Sequence, residues 1–158
     1  MSTSKVKYAG DLRTEAVHLA SGKTIITDAP VDNHGKGQAF SPTDLLCTCL
    51  GSCMLTLMGI ATDTYNRAAA GRQRGTEKHN PLNIDGALAE VTKIMASNPR
   101  RVGEIQIIIT MPPVSYTAKE KQILENAART CPVAMSINPS IVLKVEFIYP
   151  AETQNTSS

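Results

Sequence analysis

The stretch Ser41-Pro42-Thr43-Asp44-Leu45-Leu46-Cys47-Thr48-Cys49-Leu50-Gly51-Ser52-Cys53 decides how the chain is read. Ser41 is a good N-cap, Pro42 suits the first helical position, and Asp44 closes a capping box with Ser41. A long helix therefore starts here, and its pattern carries it to about Asn66. Leu46, Leu50, Cys53, Leu57 and Ile60 recur at three- and four-residue steps along one face. Leu45, Cys49, Met54 and Met58 widen that stripe almost all round, so a central helix covered on most sides is expected. Leu45 to Ala61 is also the one membrane candidate. It is interrupted by Thr48, Gly51, Ser52, Thr56 and Gly59, and a span needs about 20 predominantly apolar residues. A buried core helix is expected instead, with no membrane contact.

Before the helix, Lys5 to Tyr8, Glu15 to Leu19 and Thr24 to Thr27 are short strand patterns, with turns at Gly10-Asp11 and Ser21-Gly22-Lys23. Ala29 to Phe40 reads as a loop. After it, Arg67 to Asn80 reads as a solvated connection, with Arg67, Arg72, Arg74 and Lys78 as a basic cluster. Asn83 to Met95 and Val102 to Met111 are two long strands around the turn Ser97-Asn98-Pro99. In the second, Ile105, Ile107, Ile109 and Met111 alternate with Gln106 and Thr110. Pro112-Pro113 ends it. Thr117 and Glu120 form a second capping box, which predicts a helix to about Arg129. Cys131-Pro132 opens a short helical turn, and Ile141 to Tyr149 is a last strand. Strands, helix, strands, helix, strand in that order give an α+β fold.

The chain has 158 residues, 42% hydrophobic and 19% charged. It is expected to form one domain over residues 1–150, with a polar tail at 151–158. A net charge of +2, no Trp and only two Phe argue against a nucleic-acid surface. The start, Met1 to Tyr8, has no apolar core of a secretory signal. Four cysteines without such a signal read as reduced thiols in the cytoplasm.

Cys47 and Cys49 face nearly opposite ways on a helix that turns about 100° per residue. No C-x-x-C and no nearby His completes a metal site, and no metal or other cofactor is expected. Taken alone, Cys53 is either an inert packing residue or a reactive thiol. Cys131 stands at a helix start near Arg129, and both features favour a thiolate there. Its other reading is a plain substitute for a Ser or Thr cap. His18, His34 and His79 sit in strand or loop contexts without an acid in triad spacing.

Ser41-Pro42-Thr43-Asp44-Leu45-Leu46 followed by Leu50-Gly51-Ser52-Cys53 resembles the first-cysteine motif of the OsmC/Ohr family, the osmotically inducible and organic hydroperoxide resistance proteins. Cys131-Pro132-Val133-Ala134 resembles the family's second-cysteine motif, and the element order matches to about Tyr149. The resemblance implies an intertwined homodimer, with strands wrapped around the long central helices and each active site near the subunit interface. It implies thiol-dependent reduction of small organic hydroperoxides, with Cys53 as peroxidatic and Cys131 as resolving thiol. An external dithiol then regenerates the enzyme. The family's strand arginine corresponds to Arg13, in Asp11-Leu12-Arg13-Thr14; its other reading is an exposed strand arginine.

One position departs from the family. A glutamate that holds the arginine follows the proline of the first motif, whereas this chain has Thr43 there, then Asp44. Asp44 already has work in the capping box. The arginine clamp is therefore expected to be missing or rebuilt, and a non-catalytic binder of small apolar ligands, or a redox sensor on the same fold, is the alternative function.

Overall fold

The computed structural model describes residues 2–72 and 80–150. It has six strands: β1 (Ser4–Gly10), β2 (Arg13–His18), β3 (Thr24–Asp28), β4 (Leu88–Ser97), β5 (Arg100–Thr110) and β6 (Val142–Ile148). The helices are α1 (Pro42–Arg72), α2 (Ala118–Arg129) and α3 (Pro132–Ser136). The α+β order expected from the sequence is the order observed. Arg74, Lys78, His79 and the 151–158 tail lie outside the described residues. The chain divides into two compact units, Met1–Leu46 and Cys47–Ser158.

In the first unit β1, β2 and β3 form an antiparallel sheet in that order. Asp11 and Leu12 link β1 to β2, both with positive φ, 49° and 58°. Two residues of this kind make the turn that matches strand twist, but for a leucine the conformation costs roughly 1–2 kcal/mol. The Leu12 carbonyl accepts from the Ala29 N–H at 3.0 Å, which ties the turn to the end of β3. The apolar side chains of this sheet stay largely open. Val6, Tyr8, Ile25 and Ile26 are all exposed.

The second unit holds the apolar core. β4 and β5 are antiparallel, and β6 pairs with β5 in parallel. A parallel pair needs a long crossover, and α2 with α3 supplies it. Alternation in β5 places Ile105, Ile107 and Ile109 inward, all essentially inaccessible, as the sequence pattern predicts. The Thr117–Glu120 capping box of α2 is present in both directions. The turn at Ser97-Asn98-Pro99 also forms, one strand end on either side.

Two expectations for α1 need correction. It runs past Asn66 to Arg72, so Arg67 and Arg72 belong to the helix and not to a connection. Its buried stripe is Cys47, Leu50, Met54 and Met58, while Leu46, Cys49 and Ile60 are exposed. The helix is thus covered on one side in this chain, not on most sides. By length and composition Pro42–Gly71 is sufficient to cross a membrane, and 33% of its most apolar window is buried. The second correction has a plain physical reason. Apolar residues spread around most of the helix, so hydropathy gives no direction to the side that packs.

Candidate active site

Cys53 lies in the middle of α1, one helical turn past Cys49 and one before Leu57. Gly51 makes this part of the helix fit close to the sheet. A Cβ at that position would stand 2.9 Å from Val91 Cγ2 and 3.4 Å from Ala89 Cβ. Cys53 is partly exposed and packs against the core of its unit. Cys131 follows α2 directly and caps α3, with the Ala134 N–H donating to its Sγ at 3.4 Å. The cap reading from the sequence is therefore correct, and Pro132 occupies the first turn as a proline should.

The fold brings these two cysteines together. The Cys53 side chain is close enough to Cys131 to act on its thiol, and neither sulfur is in a disulfide. Cys47 is buried in the core and Cys49 is exposed on the outer side of α1.

The electrostatics of Cys131 overturn one expectation. Its thiol is pushed up from the ordinary range, first by burial and then by the neighbouring Cys53 sulfur. N–H groups of Ala134 and Val133 act the other way and are outweighed. The Arg129 guanidinium lies over the Phe147 ring at 5.5 Å and is not among the groups that shift the Cys131 thiol. Cys131 is fully buried, and burial favours the neutral thiol over the thiolate.

In the first unit Arg13 is not a solvated strand residue. Its Nε donates to Asp28 Oδ1 at 2.7 Å and its Nη2 to Asp28 Oδ2 at 2.8 Å. Nη2 also donates to Gln38 Oε1 at 3.1 Å. Asp28 receives a further bond from the Gln38 backbone N–H at 3.0 Å. The Arg13 pair holds the Asp28 carboxyl below its ordinary range, against the opposing effect of burial, and Asp28 in turn raises Arg13. Ser41 and Asp44 form the expected capping box, with N–H to carboxylate at 2.8 Å and N–H to hydroxyl at 3.1 Å. Thr43 Oγ1 lies 3.0 Å from Ser41 Oγ.

Sequence reasoning missed Asp28 and Gln38. The signal was available in the hairpin. Counting outward from the turn between β2 and β3 puts Arg13 directly opposite Asp28, and opposite charges there attract. His18, the last residue of β2, pairs through Nδ1 with Ser21 Oγ at 2.8 Å on the surface, which ties the strand end to the turn that follows.

No family model matches the chain, and no curated protein matches it. Solved structures do. One, from Psychrobacter arcticus 273-4, is provisionally named an osmotic stress induced and detoxification response protein. It is 52% identical over 93% of this chain and 96% of its own, with a TM-score of 0.78. An organic hydroperoxide resistance protein OsmC from Legionella pneumophila shares the fold at 13% identity and TM-score 0.62, covering 94% of this chain and 98% of its own. A protein of Vibrio cholerae O1 provisionally named an organic hydroperoxide resistance protein, with captopril bound in one of its active sites, matches at 13% identity and TM-score 0.61, over 93% of this chain and 92% of its own. With two cysteine motifs in their expected elements and a relative identical at half of its positions, this chain belongs to the OsmC/Ohr family.

Proposed function

We propose that the chain reduces organic hydroperoxides through a two-thiol cycle. Cys53 is the peroxidatic thiol, Cys131 the resolving thiol, and Arg13 the cation that favours the attacking thiolate. The observation that supports this most is the proximity of Cys53 on α1 to Cys131 at the start of α3, whose thiol it helps to push up. A thiol attacks as its thiolate, and an ordinary one with pKa about 8.5 is mostly protonated at neutral pH. A buried S–H beside that sulfur can donate to negative charge upon it.

The cycle balances. The Cys53 thiolate attacks the distal peroxide oxygen and the O–O bond breaks. The alkoxide takes a proton and leaves as the alcohol, and Cys53 becomes a sulfenic acid. The Cys131 sulfur displaces hydroxide, its proton completes a water molecule, and a Cys53–Cys131 disulfide forms. An external dithiol reduces that disulfide and is itself oxidised. We propose that the working form is a cytoplasmic homodimer. The exposed Leu46 and Ile60 on α1, and Val6, Tyr8 and Ile25 on the first sheet, are the surface a second copy would cover.

The test is peptide mapping after one equivalent of cumene hydroperoxide, with peroxide consumption followed in the presence of dithiothreitol. A Cys53–Cys131 disulfide, together with turnover that Cys53→Ser abolishes, is expected. Turnover that survives Cys53→Ser sinks the cycle. The absence of the family's acid at Thr43 supports a second reading, a redox sensor or binder of small apolar ligands. A wild-type protein that consumes no peroxide and forms no such disulfide would favour that second reading.

A further inference from the structure

We propose that Asp28, itself held by the Gln38 backbone, is the residue that positions Arg13 for the thiol chemistry, in place of an acid at position 43. This rests on the reading of Arg13 as the cation that serves Cys53. Four observations carry it. Arg13 and Asp28 are direct partners across β2 and β3, so the sheet register alone brings them together. The Asp28 side chain is 1% exposed, and two parallel N–H···O bonds join it to the Nε and Nη2 side of the guanidinium. Gln38 closes the arrangement from both ends, with its N–H on Asp28 and its side-chain oxygen on Arg13. The family's position is committed elsewhere, because Thr43 meets the Ser41 hydroxyl and Asp44 caps α1.

This arrangement has a chemical consequence. A guanidinium has five N–H donors in a rigid fork. Asp28 and Gln38 use the Nε and Nη2 side, and Nη1 has no hydrogen bond among the described residues. The remaining edge can therefore meet an anion without releasing the carboxylate. A partner built into the adjacent strand moves only with the sheet. Lys36 is engaged with Asp11 at 2.9 Å, so it does not displace Arg13 from Asp28.

The experiment is the rate of Cys53 alkylation by iodoacetamide across pH, read on the Cys53 peptide by mass spectrometry. The variants are Arg13→Gln, Asp28→Asn, the double variant, and Asp28→Asn with Thr43→Glu. Arg13→Gln and Asp28→Asn should each slow alkylation at neutral pH by about tenfold, with profiles displaced to higher pH. The double variant should be no slower than Arg13→Gln, because Asp28 acts only through Arg13. Adding Thr43→Glu should restore part of the rate.

Slow Arg13→Gln with a wild-type rate in Asp28→Asn overturns the role of Asp28 alone, as does a double variant slowed by the product of the two effects. A wild-type rate in Arg13→Gln removes the reading of Arg13, and the role of Asp28 with it. If Asp28→Asn does not fold, Asp28→Glu keeps the charge but moves the guanidinium out of register. A several-fold slower rate with unchanged melting is then expected, and an unchanged rate overturns the proposal.

Discussion

Arg13 and Asp28 face each other across β2 and β3, and the guanidinium closes on both carboxylate oxygens at 2.7 and 2.8 Å. This pair makes stability depend on pH in a defined direction. The folded Asp28 carboxyl lies below its usual value of 3.8. A depressed carboxyl contributes stability above its unfolded value, and that contribution is lost as pH falls through the folded one. Asp28→Asn should therefore melt below the wild type at neutral pH. The gap should narrow as pH falls below about 4. Melting curves across acid pH check this, and a gap that stays constant would contradict the pairing.

Cys131 both caps α3 and meets Cys53, and two substitutions separate these roles. Cys131→Ser keeps an acceptor for the Ala134 N–H, so stability should change by less than about 1 kcal/mol. Cys131→Ala should lose about 1 kcal/mol more through the missing cap. Neither variant can close the disulfide. After peroxide treatment both should leave Cys53 as a sulfenic acid, which a dimedone adduct would reveal, or as higher acids seen by their added oxygen mass.

Gly51 lets α1 sit against β4. Elsewhere in a helix interior, Gly→Ala gains about 1 kcal/mol. Here the added methyl would sit 2.9 Å from a branched Val91 carbon, and overpacking costs about 1–3 kcal/mol. Gly51→Ala should therefore not raise the melting temperature, and Gly51→Val should lower stability by more. A stabilised Gly51→Ala would show that the helix does not approach β4 this closely.

Asn66 holds the segment that returns toward β4. Its Nδ2 donates to the Leu82 carbonyl and its Oδ1 accepts from the Leu82 N–H, both at 2.8 Å. Leu82 is buried, so removing the amide leaves two polar backbone groups without their partner. Asn66→Ala should cost about 2 kcal/mol. The urea midpoint should fall while the slope stays the same, and an unchanged midpoint would count against the clamp.

The amino-acid sequence determined what is settled within three or four residues. Ser41 with Asp44, Thr117 with Glu120, and Cys131 at the start of α3 each form the cap that their spacing dictates. The alternation in β5 selected the isoleucines that face the core, because a strand repeats every second residue. The tertiary structure decided the rest. Apolar residues nearly all round α1 leave its packing side undirected, and only the sheet selects Leu50, Met54 and Met58 over Leu46 and Ile60. The partner of Arg13 stands fifteen residues away and is set by strand register. The meeting of Cys53 with Cys131 needs α2 to cross between β5 and β6, a relation between distant segments that no local propensity encodes.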